Sequence, residues 1–312
     1  MNEVFLYVQL RLIENTGIIL FCILGSFNAN AQDLEPRAYI RIPVNANVIL
    51  PGFNHSQGQV LTDPSVPLKD FKARVETFTI GYARTFSLFG LTAQTLAVLP
   101  LCYARASALV FGQSQSVDRT GTADIRARLS VLLLGGRALA LSEFIKQKKP
   151  RTILGTSLTI QLPTGQYFPD KLVNLGSGRW AFKPEIALSQ PLSQRWLLDL
   201  YTALWIFTDN HSYFTGNALR SQQSIATVQT HVSYNISPFA WAAFNATYYA
   251  GGNSSVNGVA NDDRVSNFRF GTTLVLPTGK RSGLKIAFSK GAIVVRGSNF
   301  TTVSVGWSYS WF

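Results

Sequence analysis

Charged residues are scarce in this chain of 312 residues. Only 14% of the side chains are Asp, Glu, Lys or Arg, whereas a soluble domain of average composition carries about 25%. Methionine occurs once and cysteine twice, while 46% of the residues are hydrophobic and 21 are Phe. The composition argues against disorder, because a chain so rich in apolar and aromatic side chains can bury enough surface to fold.

Long hydrophobic runs are missing as well. Beyond residue 31 no stretch approaches the roughly 18 uninterrupted apolar residues of a membrane-spanning helix, which argues against a helical membrane protein. The 28 basic and 16 acidic residues give a net charge of +12. Because the basic residues are dispersed over the chain, they indicate an electrostatic field in an interior or its loops and no nucleic-acid partner.

Residues 1–31 have the pattern of a secretory signal peptide. An apolar run over residues 17–27 is followed by Ala29-Asn30-Ala31, a small-x-small cleavage site before Gln32. Only Arg11 is basic before this run, so a first helix retained in the mature protein is the alternative. Cleavage would leave Cys102 as the single cysteine, which excludes an intramolecular disulfide and a cysteine-based metal site.

From about residue 46 onward, apolar and small or polar side chains alternate in segments of about 10 to 15 residues, the period of a strand that faces two environments. Such lengths match the roughly 9–11 tilted residues that cross a bilayer as a strand. There are twelve segments: 46–57, 74–87, 91–105, 123–135, 151–163, 181–190, 194–208, 222–236, 239–251, 264–276, 282–292 and 300–312. The pattern predicts an all-β fold, a transmembrane antiparallel up-and-down β-barrel of about twelve strands spanning residues 32–312.

The connections between these segments alternate in length. Tight links are predicted at 88–90, 191–193, 237–238 and 277–281, and long ones at 58–73, 106–122, 164–180, 209–221 and 252–263. Short periplasmic turns opposite long outer loops are typical of outer-membrane barrels. One link on the periplasmic side, 137–150, is long, and we expect a short helix there. A soluble β-sandwich or a pair of small β-domains is the alternative, since alternation alone is common to half-buried strands.

Membrane barrels direct apolar side chains outward and polar ones inward. This parity places Glu76 and Arg84 on the lipid side near strand ends, and it places aromatic residues at the barrel rims: Tyr82, Phe86, Trp196, Trp307 and Trp311. The candidate lumen-facing charged and polar residues are Asp124, Arg126, Arg128, Lys183, Glu185, Asp199, His231, Arg269 and Lys285. They would set the field that a permeant meets, unless they form lumen salt bridges without a transport role.

The chain stops inside its last strand. The outward parity of Val303, Val305, Trp307, Tyr309 and Trp311 leaves Phe312 one residue out of register. This segment resembles the C-terminal strand by which bacterial outer-membrane barrels engage the barrel-assembly machinery. We therefore expect that machinery and outer-membrane lipid as partners, in a Gram-negative outer membrane.

Four motifs of the mature chain resemble one family, the MetA-pathway of phenol degradation family of outer-membrane transporters. They are Pro36-Arg37-Ala38-Tyr39, Pro163-Thr164-Gly165-Gln166-Tyr167, Asn174-Leu175-Gly176 followed by Arg179-Trp180-Ala181-Phe182-Lys183-Pro184-Glu185, and Tyr248-Tyr249-Ala250-Gly251-Gly252. The resemblance spans nearly the whole mature chain. It implies passage of small aromatic compounds and brings no catalytic residue with it.

Enzymatic chemistry is not predicted, and neither is a cofactor or metal. The three histidines are scattered in sequence. His231 and Ser233 share a face of one strand, but residues 239–251 of the following segment contain no Asp or Glu to orient the imidazole, as a triad requires. Both residues would also face the lumen.

The sequence therefore predicts an outer-membrane channel for the passive passage of small, aromatic or hydrophobic solutes. Twelve strands lie between the eight whose interior side chains can fill and the sixteen that leave an aqueous channel, so the pore is expected to be narrow. Residues 32–45 are expected to fold into the lumen or to cap it from the periplasm. A closed structural or adhesive barrel with ligand-binding loops is the alternative.

Overall fold

The structure is a computed structural model that describes residues 34–61, 68–110, 112–147, 150–171, 173–214 and 217–312. The predicted signal peptide lies outside these residues. The described chain forms seventeen strands and one short helix: β1 Asn47–Leu61, β2 Leu68–Leu88, β3 Leu91–Val110, β4 Gln113–Thr122, β5 Arg126–Leu134, α1 Leu141–Phe144, β6 Ile153–Gln161, β7 Ala181–Pro191, β8 Trp196–Phe207, β9 Asn210–Tyr213, β10 Ala218–Gln222, β11 Ile225–Asn235, β12 Trp241–Gly251, β13 Ser254–Val256, β14 Val259–Ala260, β15 Val265–Pro277, β16 Ser282–Ile293 and β17 Gly297–Trp311.

Twelve of these strands close into an antiparallel barrel within the described residues. The order is β1-β2-β3-β5-β6-β7-β8-β11-β12-β15-β16-β17, and β17 pairs back onto β1. At the seam Asn47 lies opposite Trp311 of β17 on one side and opposite Arg84 of β2 on the other. Closure removes the exposed sheet edge, so each of the twelve barrel strands has a hydrogen-bonded neighbour on both sides. The predicted twelve-stranded barrel is confirmed.

Two of the predicted outer loops are instead strand extensions. β1 and β2 continue into the region predicted as the loop 58–73, and β3 pairs with β4 across the predicted loop 106–122. The chain leaves β4 at Thr122 and re-enters the barrel wall at Arg126. The sequence pattern missed these extensions because a strand that projects beyond the bilayer needs no apolar face.

The periplasmic turns are short, as predicted, with one exception. Phe89 and Gly90 alone connect β2 to β3, and both have positive φ, +50° and +79°, the conformation of a two-residue hairpin turn. The long link between β5 and β6 contains α1, the short helix expected there. On the opposite rim, β9, β10, β13 and β14 form a small second sheet from the β8–β11 and β12–β15 connections. No helix in the described ranges is both long enough and apolar enough to span a membrane.

Side chains alternate between the two faces of the barrel wall. On β8, Leu200 and Leu204 are each 40% exposed on the outer face, whereas Asp199 and Tyr201 are 0% and 1% exposed inside. The outer face thus presents apolar side chains to lipid, and the interior holds polar ones. Near the periplasmic rim an aromatic cluster runs along β17 and β2, with Trp307 stacked on Tyr309, Tyr309 on Trp311 and Tyr82 beside Trp311.

Candidate functional site inside the barrel

Residues 34–45, here called the N-terminal strap, lie inside the barrel before β1 begins. Tyr39 of the strap is fully buried, and Leu34 lies against the backbone of Gly271 on β15. A side chain at Gly155 on β6 would collide with the Tyr39 ring. Glycine is therefore required at position 155 because the strap passes so close to the wall.

The strap is held by β8 through its own backbone. The Arg37 N–H donates to Asp199 Oδ2 at 3.0 Å, and the Ala38 N–H donates to the Tyr201 hydroxyl at 3.1 Å. The Arg37 guanidinium donates to Asn235 Oδ1 at 2.6 Å and lies 4.5 Å from the Trp241 ring centroid. Arg37 also has φ of +63°, a strained conformation for a residue other than glycine. These contacts fix the strap at one position.

A charged network joins the strap to β5, β6 and β7. The Tyr39 hydroxyl donates to Glu185 Oε1 at 2.8 Å. Arg128 pairs with Glu35 of the strap at 2.8 Å and with Glu185 at 3.7 Å, and Lys183 pairs with Glu185 at 3.1 Å. Burial raises the pKa of Tyr39 far above its ordinary value, which keeps the phenol neutral and able to donate. Three predicted residues, Arg128, Lys183 and Glu185, therefore meet in one network.

The periplasmic end of the strap is covered by the long β5–β6 link. The Val44 N–H donates to the Leu139 carbonyl at 2.9 Å, and the Arg41 guanidinium donates to Gln147 Oε1 at 2.5 Å. Arg41 also lies 5.8 Å from the ring centroid of Phe144 in α1. The one long periplasmic link thus anchors the strap.

The loop of residues 162–180 connects β6 to β7 at the outer rim, and the inward-facing Asp124 binds it. Because of this contact with the interior, it is here called the inner loop. The Asp124 carboxylate accepts from the N–H of Gly165 at 3.0 Å, the N–H of Ser177 at 2.9 Å and the Ser177 hydroxyl at 2.5 Å. Gln161 Nε2 donates to the same carboxylate at 2.9 Å. The family motif 163–167 and the region around Ser177 are thereby joined, and Asp124, a predicted lumen residue, acts as a latch for this loop.

An aromatic and basic cluster lies on the wall between the strap and the inner loop. Trp205 and Phe207 both point inward from β8, and their rings are stacked with centroids 6.4 Å apart. Arg126 and Lys183 each lie 5.6 Å from the Trp205 centroid, and Arg179 lies 4.4 Å from the Phe207 centroid. We call these five residues the aromatic-basic cluster. Neither ring is among the residues predicted from the sequence, although the inward parity of Asp199 and Tyr201 on β8 extends to both.

The opposite wall, β11 to β16, holds His231, Arg269 and Lys285. His231 Nδ1 lies 2.9 Å from Asn245 Oδ1, and the Asn245 amide donates to Thr273 Oγ1 at 3.0 Å. Arg269 donates to Ser289 Oγ and to the Phe300 carbonyl. Lys285 is buried at 5% exposure. The hydrogen bonds of His231 and Arg269 named above stay within this wall, whereas Glu185 acts electrostatically on His231 and Glu35 on Lys285.

The pair His231 and Ser233 has an acid beside it after all, on the preceding strand. Asp199 lies opposite His231 across β8 and β11. Its carboxylate is already bound by the Arg37 N–H and the Ser189 hydroxyl, and Asn245 orients the imidazole instead. Among the described residues, no group of three His, Cys, Asp or Glu side chains is placed to hold a metal ion.

A closed antiparallel barrel with an apolar outer face and ionisable side chains inside defines an outer-membrane β-barrel protein. Residues 51–307 match the family model of the MetA-pathway of phenol degradation, and the chain belongs to this family.

Solved structures of other proteins share the fold. The COG4313 outer membrane channel from Pseudomonas putida F1 superposes with a TM-score of 0.75 at 20% identity, covering 91% of this chain and 100% of that one. The transport unit of the autotransporter AIDA-I from Escherichia coli superposes with a TM-score of 0.52 at 9% identity, covering 95% and 97%. No curated protein sequence matches the chain.

Proposed function

We propose that the protein is an outer-membrane channel through which small aromatic or hydrophobic solutes cross passively. The observation that carries this proposal is the buried charged network of Arg128, Lys183 and Glu185 inside a lipid-facing wall. Ionisable side chains at membrane depth are expensive, and those that persist mark ion or solute pathways. We assign the nine predicted inward residues to the lining of this pathway or to the support of the N-terminal strap and the inner loop that narrow it.

The size of the permeant follows from what narrows the lumen. Twelve strands enclose less space than the sixteen of a wide aqueous porin. The N-terminal strap and the inner loop, held by Asp199 and Asp124 respectively, reduce it further. The naming of the similar Pseudomonas putida structure as a channel supports the channel role, and the family's association with phenol degradation supports small aromatic solutes.

Reconstitution of the purified protein tests the proposal directly. We expect small single-channel conductance in planar bilayers and swelling of liposomes in small neutral aromatic solutes, with little swelling in large sugars. Heat-modifiable migration on SDS gels verifies that each preparation contains folded barrel. Folded protein that gives neither conductance nor solute flux would overturn the channel assignment, and growth on phenolic carbon sources that is indifferent to loss of the gene would remove the aromatic one.

A closed barrel with ligand-binding outer loops is the second candidate. The small sheet of β9, β10, β13 and β14 favours it, because this sheet lies outside the barrel wall and exposes Val259 at 70%. Deletion of the hairpin β13–β14 separates the two functions. A channel retains its conductance after this deletion, whereas a loop-bound partner is lost.

A further inference from the structure

Basic side chains collect at the periplasmic rim of the barrel. They lie at strand ends or in the connections between strands, and all of them are exposed. Around the wall they extend from the β15–β16 turn, past the end of β2 and the β5–β6 link, to the β7–β8 turn. We call them the periplasmic basic belt: Arg84, Arg137, Arg151, Arg195, Lys280 and Arg281.

Acids at this rim are too few to balance the belt. In the described part of the rim the negative groups are the Glu143 side chain on α1 and the carboxylate of Phe312, and Lys146 follows Glu143 three positions later. No ion pair among the described residues includes a member of the belt. Burial, followed by the neighbouring Arg151, lowers the pKa of Arg41 in the strap, so cations here meet other cations. Positive charge remains in excess.

Two members of the belt flank the aromatic cluster of β17 and β2. Arg84 lies on the outward face of β2 with Tyr82, whose ring centroid is 6.4 Å from that of Trp311. On the other side, the Arg281 carbonyl accepts from the Ser310 N–H at 2.9 Å, which places Arg281 beside the end of β17. Aromatic girdles of membrane barrels lie at the membrane–water interface. These two cations are therefore at the depth of the lipid head groups.

The β7–β8 turn combines a cation with apolar side chains in the same way. Arg195 donates to the Tyr234 hydroxyl at 3.0 Å, and the Tyr234 ring centroid is 4.8 Å from that of the outward Trp196. Leu192 in this turn is 59% exposed, and Phe89 in the β2–β3 turn is 96% exposed. Apolar and basic side chains at one level are typical of a surface that lies in the interface of an anionic bilayer. Phe89 and Leu192 favour a lipid over a free anion as the partner.

We propose that the periplasmic basic belt binds the phosphate head groups of anionic phospholipids in the periplasmic leaflet and selects these lipids over zwitterionic ones. A guanidinium donates two parallel hydrogen bonds to phosphate oxygens, and a cation at the surface of an anionic bilayer is attracted to it. The proposal goes beyond the proposed function, because it concerns the lipid around the barrel and holds whether or not the lumen conducts.

Quenching of tryptophan fluorescence by brominated lipids tests the belt on the full-length protein in vesicles. Trp196, Trp307 and Trp311 are outward residues near this rim, and a Trp180→Phe background removes the exposed tryptophan at the outer end of β7. Quenching by brominated phosphatidylglycerol is compared with quenching by brominated phosphatidylcholine of the same acyl chains, which gives their relative affinity for the barrel. We expect phosphatidylglycerol to be preferred about fivefold at low salt, and salt to reduce this preference by screening.

Two matched variants locate the preference. The belt variant removes three charges beside these tryptophans: Arg84→Gln, Arg195→Gln and Arg281→Gln. The control variant removes three charges from exposed positions at the outer rim: Lys69→Gln, Lys72→Gln and Lys290→Gln. We expect the preference for phosphatidylglycerol to disappear in the belt variant and to persist in the control. Heat-modifiable migration on gels identifies a variant that fails to fold, in which case the single substitutions Arg84→Gln and Arg281→Gln are measured.

Three results would overturn the lipid assignment. The first is equal quenching by the two lipids in the unsubstituted belt, and the second is a preference that survives in the belt variant. The third is a preference that inorganic phosphate abolishes while chloride at the same ionic strength does not, because the belt would then bind a free anion. Lipid preference in a protein without conductance would keep the belt and overturn the channel, and conductance without lipid preference would do the reverse.

Discussion

The two walls of the barrel interior differ in how they satisfy buried polar groups. The wall of β5–β8 places Arg128, Lys183 and Glu185 in ionic contact and completes the set with Glu35 of the strap. The wall of β11–β16 relies on hydrogen bonds between partners such as His231, Asn245 and Thr273. The strap supplies an ionic partner, Glu35, to the first wall. It contacts the second wall through the Arg37 guanidinium, which lies on Asn235 and Trp241, and through Leu34, which lies against Gly271. The two walls therefore differ in whether the strap carries part of their charge balance.

The largest effect is expected from removal of the strap, and it is an effect on conductance. We expect deletion of residues 34–45 from the mature chain to raise single-channel conductance about twofold or more, because the freed cross-section widens a narrow lumen. The full-length counterpart is Gly155→Leu, whose side chain displaces Tyr39. Planar-bilayer recordings of both variants check this expectation. Unchanged conductance in two folded variants would show that the strap does not obstruct the pathway.

Glu185→Gln tests the charged wall without removing the strap. Gln retains an acceptor for the Tyr39 hydroxyl but leaves Arg128 and Lys183 without their shared counter-charge. Loss of one partner of a buried ion pair destabilises a protein by about 3–5 kcal/mol. We expect the free energy of unfolding to fall by an amount near the lower end of this range, because Arg128 still pairs with Glu35. Urea titration in lipid vesicles measures it, with the exposed Glu143→Gln on α1 as control. A loss no larger than that of the control would contradict the network.

Asn245→Leu tests the hydrogen-bonded wall. The change removes the partner of His231 Nδ1 and of Thr273 Oγ1, and leaving buried polar groups unsatisfied costs about 1–3 kcal/mol. Urea titration should therefore show a smaller loss than for Glu185→Gln, with no change in conductance. Asn54→Leu is the matched control, because Asn54 is equally buried and its Nδ2 has no hydrogen-bond partner among the described residues. If Asn245→Leu lowers the free energy of unfolding more than Glu185→Gln does, the two walls do not differ in the way described.

The outer face supplies the smallest effect. Glu76 pairs with Arg74 at 2.5 Å and with His55 at 3.6 Å in an exposed position. Exposed ion pairs contribute little because solvent screens them. We expect Glu76→Gln to leave both the unfolding midpoint and the conductance unchanged. A clear drop in the unfolding midpoint would show that an ion pair on the outer face stabilises the barrel as much as one in the interior.

Much of the wall could be predicted from the sequence, because lipid on one face and a polar interior on the other impose a period of two on every strand. The pattern gave the inward parity of Asp199 and the lipid parity of Glu76. It missed β4, since a strand beyond the bilayer has no such constraint. The alternation could not predict the partners of the inward residues either, because these lie far apart in the chain. Arg128 is 93 residues from Glu35, and Tyr39 is 146 residues from Glu185. Pairings across the lumen leave no periodic trace.

The strap also has a consequence for the order of folding. The hydrogen bonds of residues 35–41 to side chains of the wall and its links span 93 to 198 positions of the chain, although these residues are synthesised before any strand of the wall. Contacts of such long sequence separation form late, because the loop between the partners must close first. The earliest described part of the chain is therefore among the last to acquire its place. We therefore expect the strap to enter the lumen only after β5–β8 have formed, although it is the part of the described chain that is synthesised first.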